Sequence, residues 1–125
     1  MHIVRLRGPW QLIASDFSSV REIEITVPGD WSALGEDFRG PARFIRQFGL
    51  PTNLTTERLW LAIEHVHEQA MIELNGQQLG NQTTADGPKK FEITALLQLR
   101  NVLSIDVAAA SGPGSLGEVR LEIED

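Results

Sequence analysis

His65, His67 and Glu68 lie close together in the middle of the chain, and all three are residue types that bind metal ions. Neutral imidazole suits zinc, and alternate residues of an extended chain point to the same side. Zinc needs more ligands than two imidazoles supply, and no third and fourth ligand stands at a convincing spacing. The sequence therefore predicts exposed turn residues at this position, and neither a metal nor a cofactor.

The segment from Ser111 to Gly117 has the glycine spacing of a dinucleotide-binding loop. Such a loop joins a strand to a helix in a βαβ unit, whereas residues 118–125 alternate as a strand. Ser115 lies in Pro-Gly-Ser-Leu-Gly, which departs from the nucleophile-elbow pattern at its first position. The segment is predicted to be a loop without catalytic residues.

Asp30 and Asp37 are paired carboxylates in a stretch rich in Gly, Asp and Pro. Two carboxylates can serve as acid and base in glycoside hydrolysis. Nothing in the surrounding sequence indicates that either is in a perturbed environment. The sequence therefore predicts that the chain is not an enzyme.

Composition narrows the class of protein further. A chain of 125 residues with 42% hydrophobic residues is expected to form one domain, residues 1–125, with an ordinary packed core. The net charge of −6 argues against binding to nucleic acid or to anionic membranes. No signal peptide and no membrane-spanning apolar run is visible, and there is no cysteine, so we predict a cytoplasmic location.

Alternation of apolar and polar residues is the dominant pattern along the chain. Arg21 to Val27, Arg43 to Phe48, Leu103 to Val107 and Val119 to Glu124 all show it. Turn residues separate these short segments, and no long helical period interrupts them. The pattern predicts an all-β antiparallel sandwich or barrel, with Leu61, Ile72 and Ile105 in its core.

The segment from Glu57 to Gly80 carries the most specific signal. It reads as two strands joined by a polar hairpin, followed by an Asn75-Gly76 turn into a third strand. Asn-Gly between hydrophobic runs indicates a type I′ turn, because both of its central residues need a positive φ. Earlier in the chain, Arg46 shares its strand face with Phe44 and Phe48. A buried arginine needs carboxylate or carbonyl partners; a salt bridge is favoured, and ligand recognition is the alternative.

Four segments, in this order, resemble the N-terminal sugar-binding domain of glycoside hydrolase family 2 enzymes such as β-galactosidases and β-glucuronidases. They are VPGDW (27–31), GPARFIRQFGLP (40–51), RLWLAIEHVHEQAMIELNGQQLG (58–80) and FEITALLQLRNVLSID (91–106). The resemblance implies a galactose-binding-domain-like jelly roll of two antiparallel sheets.

The chain also departs from the family pattern. Phe44 stands where the family usually has Tyr, Arg43 replaces an aromatic residue, and Arg100 replaces a glycine. The domains that carry the family's catalytic carboxylates have no counterpart in these residues. The resemblance therefore does not transfer hydrolase activity, since one fold hosts many functions.

Sugar binding needs an aromatic plate together with polar groups for the hydroxyls. Because the chain has no tyrosine, the candidate plates are Trp10, Trp31 and Trp60. Trp31 follows a turn and either lines a ligand site or, as the favoured alternative, plugs one end of the sandwich. Trp60 lies on the outward parity of its strand, where it marks an interface or is covered by another segment.

The leading hypothesis is a non-catalytic carbohydrate-binding module. Its predicted ligand site lies in the loops at one end of the sandwich, with these candidate residues: Asp30, Trp31, Arg39, His67, Glu68 and Asn81. Carbohydrate is the predicted partner, with the aromatic ring stacking and the polar groups orienting hydroxyls. The alternative is a protein-interaction or assembly module on the same fold, with a second copy or another protein as its partner.

Overall fold

The computed structural model describes residues 1–15 and 20–125, and within them it consists of antiparallel strands joined by turns and short 3₁₀ segments. In chain order the strands are β1 (His2–Arg5), β2 (Trp10–Ser15), β3 (Val20–Ile25), β4 (Gly29–Asp30), β5 (Ala42–Gly49), β6 (Arg58–Ile63), β7 (Val66–His67), β8 (Gln69–Leu74), β9 (Gln77–Thr83), β10 (Lys89–Glu92), β11 (Arg100–Ala108), β12 (Ser115–Leu116) and β13 (Val119–Glu124).

These strands form two main sheets, a six-stranded one called the large sheet and a four-stranded one called the small sheet, and a separate three-stranded sheet. The large sheet has the order β3-β2-β5-β11-β8-β9, and the small sheet has the order β1-β13-β6-β10. A third, three-stranded sheet, β4-β12-β7, is called the end sheet below. The predicted antiparallel jelly-roll sandwich is confirmed.

The core lies between the inward faces of the two main sheets, as the alternation predicts. Ile105 on β11 is in register with Phe44 on β5 and with Ile72 on β8, and all three side chains are fully buried. Leu61 contributes from the opposite sheet and is equally buried. Each such side chain contributes roughly 1.5–3 kcal/mol by leaving water, so this layer is a main source of stability.

The Asn75-Gly76 turn has the predicted geometry, with φ values of 53° and 82°. The Asn75 side chain also donates to the Leu96 carbonyl and to Oδ1 of Asn101, and accepts from the amide of Val102. Asn101 is 1% exposed, and its amide donates to the carbonyls of Phe48 and Gln98. Because every member is bonded, the two asparagines join the β8–β9 turn to β11.

The predicted hairpin within residues 57–74 is wrong. β6 pairs with β13 and β10 in the small sheet, whereas β8 pairs with β11 and β9 in the large sheet. Residues 64–68 therefore carry the chain from one sheet to the other. This crossing places β7 at one end of the sandwich.

Arg46 also differs from its prediction. Its guanidinium donates to the carbonyls of Gln47 and Gly8, and no carboxylate of the described residues lies within ion-pair distance. Its Nε is buried without a partner, and burial lowers the pKa of Arg46. Both partners of the guanidinium are thus backbone carbonyl oxygens of the protein, in place of the salt bridge that the sequence favours.

Candidate functional site

The end sheet positions three polar side chains in a row. Asp30 on β4 and His67 on β7 are both in register with Ser115 on β12, between them. Residues in register on neighbouring strands point to the same side, so all three face away from the core. On the other side, Leu116 and Val66 are buried and anchor the sheet. The name "polar row" denotes Asp30, Ser115 and His67 below.

Hydrogen bonds hold the two outer members of the polar row. Oδ1 of Asp30 accepts from the backbone amide of Ser32 at 2.9 Å. His67 Nε2 lies 2.5 Å from the carbonyl oxygen of Ser111. A carbonyl only accepts, so Nε2 carries the proton, and in a neutral imidazole Nδ1 is then the acceptor. The polar row therefore offers a carboxylate oxygen, a hydroxyl and an imidazole nitrogen to a ligand.

The order within the row argues against nucleophilic catalysis. A serine triad places histidine between serine and carboxylate, whereas Ser115 stands between Asp30 and His67. Within the part of the chain that the structure describes, no hydrogen bond joins the side chains of Ser115 and His67. The arrangement suits the recognition of hydroxyl groups.

A groove of about 430 Å³ lies between the loop of residues 31–40, which directly follows Asp30, and the loop of residues 109–113, which ends two residues before Ser115. Trp31 lines it and is only 2% exposed, with the ring of Phe38 edge-on at 5.1 Å between centroids. The Trp31 amide donates to the Gly114 carbonyl, which ties the first loop to the end sheet. Trp31 is therefore a buried wall of the groove.

Two glycines make room for this tryptophan. A Cβ added to Gly40 or to Gly114 would lie 2.4 Å from the six-membered ring of Trp31. Gly40 also has a φ of 76°, a backbone angle that residues other than glycine rarely adopt. The close packing matches the prediction of a plug at the end of the sandwich. In this conformation the ring is too buried to stack on a sugar.

Phe38 is the aromatic residue that sequence reasoning missed. It is half-buried, lines the groove, and has the guanidinium of Arg21 at 5.7 Å from its ring centroid. Arg39, the next residue, is exposed, and its Nη1 donates to the carbonyls of Glu36 and Phe38. The only available signal was an aromatic residue inside a Gly- and Asp-rich loop. Arg39 keeps Nε and Nη2 for a ligand.

The six predicted site residues lie in three places: four at the end-sheet side, Glu68 just after the end sheet, and Asn81 on the large sheet. Four of them lie at the end-sheet side, Trp31 and Arg39 in the groove and Asp30 and His67 in the polar row. Glu68 follows His67, and its backbone amide donates to the carbonyl of Ala108.

Asn81 lies elsewhere. It is exposed on β9, in register with Met71 of β8 on the outer face of the large sheet. The structure thus brings together four of the six residues.

The other two tryptophans do not line this site. Trp10 is fully buried and its Nε1 donates to the carbonyl of Leu6 at 2.6 Å, so it belongs to the core. Trp60 faces outward on the small sheet, where its Nε1 donates to Glu124 and the guanidinium of Arg58 lies 5.0 Å from its ring centroid. Within residues 1–15 and 20–125, no group of three His, Cys, Asp or Glu side chains is close enough to hold a metal ion.

Comparisons with known proteins identify the fold. No protein-family model and no curated protein sequence matches the chain. Among solved structures, it superposes on a β-glucuronidase from Bacteroides uniformis with a TM-score of 0.81 and 21% identity, covering 98% of this chain and 18% of that one. A Bifidobacterium dentium β-glucuronidase bound to coumarin-3-O-glucuronide gives a TM-score of 0.79 at 17% identity, covering 98% and 30%.

A putative β-galactosidase from Bacteroides fragilis gives a TM-score of 0.79 at 18% identity, covering 98% of this chain and 23% of that one. The chain therefore spans less than a third of each of these proteins. No helix of the described residues is long and apolar enough to cross a membrane. At these identities the likeness concerns the fold, and the chain has the fold of the N-terminal sandwich domain of glycoside hydrolase family 2 enzymes.

Proposed function

We propose that residues 1–125 act as one non-catalytic module that binds carbohydrate in the groove and on the polar row. The observation that carries this proposal is the juxtaposition of an aromatic-lined groove of about 430 Å³ with a row of side chains that favours hydroxyl recognition. The proteins of similar fold act on sugars, according to their names. The lack of cysteine is consistent with our proposal of a cytoplasmic location.

Each part of the site has a role in this proposal. Phe38 offers the apolar contact for one face of a pyranose, because it is the half-buried aromatic of the groove. Arg39 donates from Nε and Nη2 to ring or hydroxyl oxygens, and Asp30 accepts from hydroxyl groups. Trp31 supports Phe38 from behind.

The test is a glycan-array screen followed by calorimetry on the purified chain. We expect Phe38→Leu and Arg39→Ala to weaken binding by about tenfold each, as for the loss of one good contact. Arg100→Ala is the matched control, because Arg100 is an exposed arginine on β11 that does not line the groove. Failure of every glycan to bind, or equal losses in Arg39→Ala and Arg100→Ala, would contradict the proposal.

One observation favours the alternative of an assembly module. β1 is an edge strand of the small sheet, and its Ile3 and Val4 are 45% and 40% exposed. An exposed edge with apolar side chains can pair with the same edge of a second copy. A dimer in analytical ultracentrifugation that Ile3→Lys disrupts, together with no glycan binding, would support this function instead.

A further inference from the structure

The outward-facing residues of the large sheet belong neither to the core nor to the groove and polar row at the end sheet. Two rows of residues in register cross it from β2 to β9: Ile13, Arg43, Asp106, Met71 and Asn81, and beside them Gln11, Ile45, Ser104, Glu73 and Gln78. Neighbouring strands are about 4.8 Å apart, so each row spans about 19 Å. That length accommodates an extended chain of several sugar residues.

Charge on this face is neutralised at its centre. Arg43 and Asp106 form a two-pronged ion pair, with Nε–Oδ1 and Nη2–Oδ2 distances of 2.7 and 3.1 Å. Since both carboxylate oxygens are engaged, the pair presents no net charge to a ligand. Glu73 in the second row, and Glu22 and Glu24 in register with Ile13 and Gln11, add carboxylates to the same face, so a neutral partner is favoured over an anionic one.

Amides and apolar side chains flank this ion pair. Within the part of the chain that the structure describes, the side-chain amides of Gln69 and Asn81 have no hydrogen-bond partner, which leaves both to bind a ligand. Met71 lies on the same face and is 37% exposed, and its sulfur accepts a hydrogen bond from the side-chain amide of Gln78. Such a mixture of free amides with a flexible apolar side chain matches the alternation of hydroxyl and C–H surfaces along a glycan.

The face is also shaped for a chain. A depression of about 260 Å³ is lined by Gln69, Met71, Asn81 and Thr83, and a second one of about 430 Å³ by Ile13, Arg43 and Ile45. Pro41 and Asp106 line both, so the two depressions adjoin across β5 and β11. Together they form a shallow track across the strands.

We propose that this track is a second carbohydrate site, which binds a neutral oligosaccharide chain independently of the end groove. Asn81 and Gln69 recognise hydroxyl groups, and Met71 with Ile13 contacts the apolar faces of the sugar rings in place of an aromatic plate, since no aromatic side chain among the described residues lines either depression. This use of Asn81 differs from the one that the sequence predicts, because the residue lies outside the end site.

The experiment is an NMR titration of the isotope-labelled full chain with cellotetraose, mannotetraose and galactotetraose. We expect amide shifts at residues 69–71, 81–83 and 106–108 for at least one of these probes. Met71→Lys and Asn81→Ala should weaken that binding about three- to tenfold, as for a lost hydrogen bond or apolar contact. Val102→Lys is the matched control, because Val102 is 41% exposed on β11 and lines neither depression.

The variants also separate the two proposals. Arg39→Ala should leave binding on the sheet unchanged, so its loss of affinity would be confined to the end groove. Shifts confined to the groove, shifts that Met71→Lys does not weaken, or no shift with any probe would overturn the second site. A concentration-dependent dimer that Met71→Lys abolishes, without sugar binding, would overturn it in favour of contact between two copies.

Discussion

The outer faces of the two main sheets use the same strand alternation for opposite purposes. On the small sheet, Glu122 is 4% exposed and pairs with Lys90 at 2.5 Å and with Arg120 at 2.8 Å, and Arg120 also reaches Glu64 at 2.9 Å. Arg58 covers Trp60 on the same face. The charges of this face satisfy one another, so it makes few demands on a partner.

The large sheet leaves polar groups for an outside partner. Its ion pair, Arg43–Asp106, is half-exposed, and amide side chains lie near it together with the carboxylate of Glu73. In our proposal, the outward residues of one sandwich are divided between stability on the small sheet and recognition on the large one. A cluster of buried charge costs stability when it is broken, whereas an exposed amide costs little.

The largest expected effect comes from breaking the small-sheet network. Glu122→Ala leaves Lys90 and Arg120 without their shared carboxylate, and we expect a loss of about 2 kcal/mol in the free energy of unfolding. This is less than the 3–5 kcal/mol typical of a fully buried pair, since Lys90 is half-exposed and Arg120 keeps Glu64. Urea unfolding at neutral pH measures it.

Asp106→Ala is the matched control on the large sheet. Both partners of that pair are about half-exposed, so the expected loss is below about 1 kcal/mol. Equal losses in the two variants would contradict the contrast between the faces.

Acid should weaken the same network in a defined direction. The hydrogen bond from Lys90 holds the pKa of Glu122 below its usual value of 4.5, with Arg120 acting in the same sense. A lowered folded-state pKa stabilises the fold fully above the unfolded value and loses that contribution as pH falls through the folded one. The free energy of unfolding should therefore fall as the pH is lowered from about 5 to about 3, and Glu122→Gln should reduce this dependence on pH. An unchanged slope in the variant would assign the acid sensitivity to other carboxylates.

Local signals in the sequence predicted most of the fold. The Asn75-Gly76 turn depends on two backbone angles that few residues adopt, and the structure has both of them. Alternation placed Leu61, Ile72 and Ile105 in the core for a similar reason, because the side-chain period of a strand is fixed. Such features need no knowledge of distant residues.

Pairing between distant strands could not be predicted in the same way. β6 and β8 are close in sequence, yet their partners are β13 and β11 in different sheets. The position of Asn81 has a local cause, since the irregular β8–β9 register at Ile72 and Glu73, which alternation does not predict, sets which residues of β9 face outward. Likewise, Phe38 enters the groove because Trp31 packs against it, a contact that alternation does not encode.

The smallest expected effect is on the large sheet, and it decides whether binding measurements there can be interpreted. Met71→Lys and Asn81→Ala alter exposed side chains that line a shallow depression, so each should change the free energy of unfolding by less than about 0.5 kcal/mol. Thermal and urea unfolding of both variants beside Val102→Lys would measure this. A loss above 1 kcal/mol in Asn81→Ala would mean that the amide stabilises the fold, and the face would then resemble the small sheet more than our comparison allows.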